Sequence, residues 1–153
     1  MPGIVGIIGG GNPVKKHADL RLMVESMMHE AFYVSGSLLN NDLGIAGGWI
    51  AHKGSFSDRM PKWNETNDVG VVIAGEDYID QDEIEALRSK GHDFDPWDAT
   101  YVAHLYEEYG GEFVNKLNGR CSGIIMDLRR RETILFNDPY GLSRVYFHES
   151  GGA

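Results

Sequence analysis

Gly3-Ile4-Val5-Gly6-Ile7-Ile8, followed at once by Gly9-Gly10-Gly11-Asn12-Pro13, is the stretch from which the architecture is read. A β-branched run that stops at glycines and a proline reads as a buried strand emptying into a tight turn. Behind it Leu20, Met23, Val24, Met27 and Met28 recur at helical spacing, with Arg21, Glu25 and Ser26 on the other face, so a helix follows. After that helix, strand and helix no longer alternate. Phe32 to Leu39 and Leu43 to Ala51 flank the turn-tolerant Asn40-Asn41-Asp42 and predict a hairpin. His52 to Asp68 is polar, carries Pro61 and Trp63, and reads as a long surface loop. Val69 to Ala74 is a second buried strand that empties into Gly75-Glu76-Asp77-Tyr78. Two helices are expected next, Asp82 to Lys90 closed by Gly91 and Pro96 to Tyr109 closed by Gly110-Gly111. Arg120 to Leu128, the basic turn Arg129-Arg130-Arg131 and Glu132 to Asn137 make a second hairpin, and Arg144 to His148 a last strand after Pro139-Tyr140-Gly141. Strands outnumber helices, and the helices are grouped between them, which argues an α+β layered fold over a Rossmann type. Ile4, Val5, Ile7, Ile8, Val71, Val72, Ile73, Ile124, Ile125 and Met126 are expected in strands at its centre.

A chain of 153 residues with 42% hydrophobic and 24% charged residues has the composition of one globular domain that needs no disulfide or metal staple. The net charge of -9 has the wrong sign for a phosphate-backbone binder, so nucleic acid is not an expected partner. No apolar run approaches the ~18 residues of a membrane span, and Met1-Pro2-Gly3-Ile4 lacks the basic flank of a signal peptide. No membrane association and a cytoplasmic location are therefore expected. A single cysteine, Cys121, fits a reducing compartment.

Four groups of residues bear on chemistry. Gly6, Gly9, Gly10 and Gly11 lie between strand and helix, where backbone N–H groups can cradle a phosphate, but Val14 stands where a dinucleotide motif needs its third glycine, and a plain turn is preferred. Glu76, Asp77, Asp80, Asp82, Glu83 and Glu85 form an acid-rich stretch without the glycine of a calcium loop, and they read as a solvated loop and helix start. The six histidines, His17, His29, His52, His92, His104 and His148, show no zinc spacing. His104 and Glu107, at i and i+3, make only half of a carboxylate-bridged metal motif, so no metal is expected. Cys121 sits in an apolar strand, where a thiol is usually inert.

Gly3-Ile4-Val5-Gly6-Ile7-Ile8-Gly9 resembles the start of the class II glutamine amidotransferases, in which an N-terminal cysteine directly precedes such a strand. His104-Leu-Tyr-Glu-Glu-Tyr-Gly110, Phe113-Val114 and Leu117-Asn118-Gly119 are similar to the glutaminase domain of asparagine synthetase. So are Phe136-Asn-Asp-Pro-Tyr-Gly-Leu142 and Val145-Tyr-Phe147, while Gly75-Glu76 resembles the family's N-G-E glutamine-binding turn. The resemblance implies an N-terminal-nucleophile hydrolase fold, a four-layer αββα sandwich of two stacked antiparallel sheets. It also implies release of ammonia from glutamine by the thiol of the first residue, with the free α-amine of that residue as base.

Against that pattern this chain departs at its working positions. The nucleophile position falls on Pro2, and no Ser, Thr or Cys occurs before Ser26. The oxyanion asparagine is Ala74, whereas Gly75 and Glu76 remain. The arginine that holds the glutamine carboxylate has no counterpart between Glu30 and His52. Asp98 matches the aspartate that contacts the glutamine α-amine, and equally reads as part of a helix start at Asp95-Pro96-Trp97-Asp98. No catalytic residue is therefore assigned, with Gly75, Glu76 and Asp98 as a vestigial substrate pocket. Residues 1–153 read as a single glutaminase-like domain, shortened at its C-terminus and lacking the ATP-pyrophosphatase domain of the synthetases. The expected role is a catalytically inactive scaffold or docking domain for an ATP-dependent, amide-forming synthetase domain or subunit, with no cofactor of its own. An apolar edge near Arg144 to His148 predicts a homodimer or capture by that synthetase. Two other readings stand beside it: an enzyme using the Pro2 amine as base after loss of Met1, and a sensor that binds glutamine or another small amino acid.

Overall fold

In a computed structural model, which describes residues 2–149, the opening run forms strand β1 (Gly3–Ile8) and turns through Gly9 and Gly11, both at positive φ. Asn12 then caps helix α1 (Pro13–Met27), its Oδ1 accepting from the Val14 N–H at 2.9 Å, while Pro13 takes the first turn, where no N–H partner is needed. Strands β2 (Tyr33–Asn40) and β3 (Ile45–His52) make the expected hairpin, closed by the Leu43 N–H donating to Asn40 Oδ1 at 2.9 Å. These strands form a three-stranded antiparallel sheet in the order β1-β3-β2. Helix α1 covers it so closely that a Cβ on Gly48 would stand 2.4 Å from Val24 Cγ2.

The second sheet is four-stranded, β4 (Lys62–Trp63), β5 (Val69–Asp77), β6 (Gly119–Asp127) and β7 (Glu132–Asn137), in chain order and antiparallel throughout. Helices α2 (Gln81–Ser89) and α3 (Thr100–Tyr109), with a 3-10 segment Gly110–Lys116, connect β5 to β6. Helix α3 packs on β4 and β5, while β1 and β3 pack on the other face of β5. The layers therefore run α1, sheet, sheet, α3, an α+β two-sheet sandwich. Val71, Val72, Ile73, Ile124, Ile125 and Met126 are buried between the layers as expected.

The structure corrects five expectations. β1 is an edge strand of its sheet, and Ile8 is 51% exposed. The centre belongs to β3, buried from Ile45 to Ala51, because only that strand has a neighbour on both sides. The segment 52–68 is not all loop, since Lys62 and Trp63 pair with Val71 and Gly70 to add a short strand. β5 does not empty at Gly75; Gly75, Glu76 and Asp77 continue the ladder opposite Cys121, Arg120 and Gly119, and α3 begins at Thr100 rather than at Pro96. Finally, Arg144 to His148 forms no strand, and Tyr146 and Phe147 are 84% and 76% exposed. Asp138 explains this: its carboxylate accepts from the N–H groups of Tyr140, Leu142 and Ser143 at 3.1, 3.0 and 2.7 Å, winding the chain away from β7.

Val72 is 1% exposed and pairs with Ile124 in the middle of the second sheet. Val72→Asp places an unpaired carboxylate there and is expected to cost several kcal/mol, a large share of a typical ~5–15 kcal/mol stability. Thermal melting followed by circular dichroism checks it; a midpoint within about two degrees of the parent contradicts the central placement of β5.

Candidate functional site

The end of β5 carries the first two residues of the expected pocket. Ala74 is buried and offers no side-chain donor. Gly75 has φ 103, and a Cβ on it would stand 2.1 Å from the Arg120 carbonyl oxygen, so no other residue fits the crossing with β6. Its own carbonyl accepts from Ser57 Oγ at 2.6 Å, fastening the preceding loop to the strand end. Glu76 points to solvent and accepts from the Tyr78 hydroxyl at 2.8 Å. Next along, Asp77 is buried, taking hydrogen bonds from Tyr101 Oη and the Asn118 N–H at 2.7 Å each. Burial pushes its carboxyl above the usual range, and those donors only partly offset it.

Asp98 lies in the turn before α3. Its Oδ2 accepts from Lys62 Nζ at 2.6 Å, and its Oδ1 from the Thr100 N–H at 2.8 Å. Burial opposes its ionisation, but Lys62 and Thr100 outweigh it and hold the carboxyl below the usual carboxylate range. Of its two sequence readings, the turn before the helix is thus accounted for by contacts in the chain. An ammonium already sits on the carboxylate. Pro2 is half-buried ahead of β1, in the other sheet.

The remaining candidates separate. At the Gly9 turn, Lys16 Nζ donates to the carbonyls of Gly9 and of Gly44, the latter at 2.8 Å, so carbonyl oxygens and a lysine fill the place of a phosphate cradle. The acid-rich stretch is not one cluster: Glu83 turns to Lys116 and to the Tyr109 hydroxyl, whereas Asp77 is interior. His92 and His104 come together with ring centroids 4.5 Å apart, a pairing that no sequence spacing announced. Cys121 is fully buried opposite Gly75, and burial, then the charges of Asp77 and Asp138, push its thiol up to about 12. It is a neutral, enclosed thiol.

A stacked pair of antiparallel sheets with Gly75-Glu76 inside one central strand narrows the class, and comparison with known proteins agrees. A family model for the glutamine amidotransferase domain matches residues 50–153. Over 148 residues, 95% of this chain, it is 31% identical to a glutamine-hydrolysing asparagine synthetase of Zea mays and 30% identical to asparagine synthetase 2 of Oryza sativa subsp. japonica. The root asparagine synthetase of Pisum sativum is 30% identical over the same share. The chain belongs to the glutamine amidotransferase domain family. It spans about 25% of the length of these curated relatives.

Cys121 supplies a direct check on this interior. Folding raises its pKa from 9.0 to about 12, so its contribution to stability is whole below about pH 9 and is lost as the pH climbs toward 12. At about pH 8 the native protein should resist a disulfide-exchange reagent and react fully only in denaturant. Rapid labelling of the native thiol would show that β6 is open at this point.

Proposed function

We propose that this chain is a degenerate glutaminase-like domain that does not hydrolyse glutamine and serves as scaffold or docking domain for an ATP-dependent, amide-forming synthetase. Residues 1–153 act as one domain in this reading, and a separate domain or subunit in the cytoplasm supplies acceptor activation. The observation that carries it is the state of Asp98. The carboxylate matched to the recognition of the glutamine amine is bound by Lys62 of the chain itself at 2.6 Å, with side chains only 18% and 32% exposed. Pro2 stands at the position matched to the nucleophile and has no thiol to offer. Ala74 stands at the position matched to the oxyanion asparagine; loss of one such donor costs ~10²–10³ in rate. Lys62 also weighs against the sensor reading, because an incoming amino acid has to displace it before its amine reaches Asp98.

The purified protein should release no ammonia from glutamine, measured beside an active glutaminase control. Pro2→Cys alone should stay inactive, because the oxyanion and carboxylate partners are still missing. Ammonia release that survives Cys121→Ala would mean that the nucleophile has been misplaced. Docking, to a synthetase or to a second copy, draws on the exposed Tyr140, Leu142, Tyr146 and Phe147 in place of a paired edge strand. Sedimentation at micromolar concentration should show self-association that Tyr146→Ser with Phe147→Ser weakens. A monomer that also fails to bind an asparagine synthetase-type partner contradicts the docking role.

A further inference from the structure

At the far end of β5 from Gly75, three separate segments bring two histidines and two glutamates together. Asn64 builds the turn that presents Glu65: its Oδ1 accepts from the N–H groups of Asp68 and Val69 at 3.0 Å each. His92 follows α2, whose end is closed by Gly91 at φ 99. His104 and Glu107 lie one turn apart on α3. One ligand atom from each of Glu65, His92, His104 and Glu107 lies within 4.8 Å of the others. We propose that Glu65, His92 and His104 bind a divalent transition-metal ion of the zinc type, with Glu107 and Glu108 as the carboxylates that orient the two imidazoles.

The hydrogen-bond pattern assigns the ring atoms. Glu107 Oε2 stands 3.1 Å from His104 Nδ1, and Glu108 Oε1 stands 2.9 Å from His92 Nε2. A carboxylate on one nitrogen fixes the proton there and leaves the other nitrogen as a lone pair, the arrangement of carboxylate-histidine-metal triads. The free atoms are then His104 Nε2 and His92 Nδ1. His104 is wholly buried, and its Nε2 has no hydrogen-bond partner. Opposite it, 3.6 Å away, is Glu65 Oε1, another acceptor. Two acceptors face each other with no proton between them.

A cation supplies the missing partner. Ligands at about 2.0–2.1 Å from a tetrahedral zinc stand about 3.3–3.4 Å apart, so the 3.6 Å gap closes on an ion with a shift of a few tenths of an ångström. Glu107 is less free to ligate, since its Oε1 accepts from Asn64 Nδ2 at 2.8 Å and faces Arg129 at 3.4 Å. That leaves three protein ligands and an open position for water, with imidazole nitrogens favouring zinc, cobalt or nickel over magnesium. Glu65, Glu107 and Glu108 outweigh the nearby Lys90 and Arg129, so the neighbourhood accepts a dication. Glu65 also accepts from the Asp93 N–H at 3.1 Å, and its side chain is 47% exposed, which gives an ion a way in. Bound there, the ion ties the turn before β5 and the segment after α2 onto α3. The site lies roughly 20 Å along β5 from Gly75, so it stands or falls apart from the glutaminase reading.

The test starts from protein stripped with a chelator and dialysed. Titration with Zn²⁺ should give one binding event per chain and raise the melting midpoint, Mg²⁺ should do neither, and Co²⁺ should develop the visible bands of four- or five-coordinate cobalt. Because His104 is wholly buried, the deciding variants are the exposed Glu65→Gln and the partly buried His92→Gln, each expected to weaken Zn²⁺ at least tenfold while the metal-free melt is held. Glu108→Gln, removing an orienting carboxylate, should weaken it about 10–100-fold. Absence of a Zn²⁺ shift in the parent overturns the proposal. So does binding that Glu65→Gln and His92→Gln leave unchanged, which would place the ion on other histidines.

Discussion

The pairing of β5 with β6 is the constraint from which the rest of the structure follows. It runs unbroken from Val69 opposite Asp127 to Asp77 opposite Gly119. Val71, Val72 and Ile73 on one strand, and Ile124, Ile125 and Met126 on the other, are all within 3% of full burial, on both faces of the sheet. Each such side chain contributes about 1.5–3 kcal/mol when fully buried, so this pair is a substantial part of the apolar stabilisation. Both faces have to be covered for that to hold: α3 closes one, and β1 and β3 close the other. The layer order is thus a consequence of a central ribbon with no wet side.

What could be read from the chain divides along this physics. Apolar, β-branched runs stopping at glycines gave away β1 and β5, and the basic turn Arg129-Arg130-Arg131 between two strand-like segments gave away the β6-β7 hairpin. The same rule misled at Val145-Tyr146-Phe147, where a run of the same kind has no partner strand because Asp138 has already bent the chain away. It also said nothing about rank within a sheet: β1 is as apolar as β5, yet it lies at an edge. β4 was illegible, since two residues are too few to show a period, and Trp63 is placed by lying over Gly70 of β5. Gly75, Glu76 and Asp98 were singled out only by resemblance, whereas Lys62, which binds Asp98, carried no local signal. Glu65 and His92 were missed for the same reason. They meet His104 only because three segments converge, and the His104 and Glu107 spacing was the one local trace.

The Lys62–Asp98 pair also ties two elements together. The pair joins β4, the strand added by the long loop, to the turn that starts α3, and it does so at partial burial, where an ion pair is worth more than at the surface. An active pocket has to leave such an acid available to a substrate. The lowered carboxyl of Asp98 keeps that pair intact down to acid pH.

Helix α3 is held at both ends by the same device. Tyr101 Oη donates to Asp77 at 2.7 Å, at one end of the β5-β6 ribbon, and Tyr106 Oη donates to Asp127 at 3.1 Å, at the other. Both aspartates are buried, so losing either hydroxyl leaves an unsatisfied acceptor, a cost of about 1–3 kcal/mol, more for a charged group. Two such anchors fix the helix along and around its axis without any ligand present. The rotation that points Tyr101 and Tyr106 into the sheet also sets where His104 and Glu107, between and beside them, must face. The ribbon therefore dictates the helix, and the helix brings an imidazole whose free nitrogen meets no donor up against Glu65.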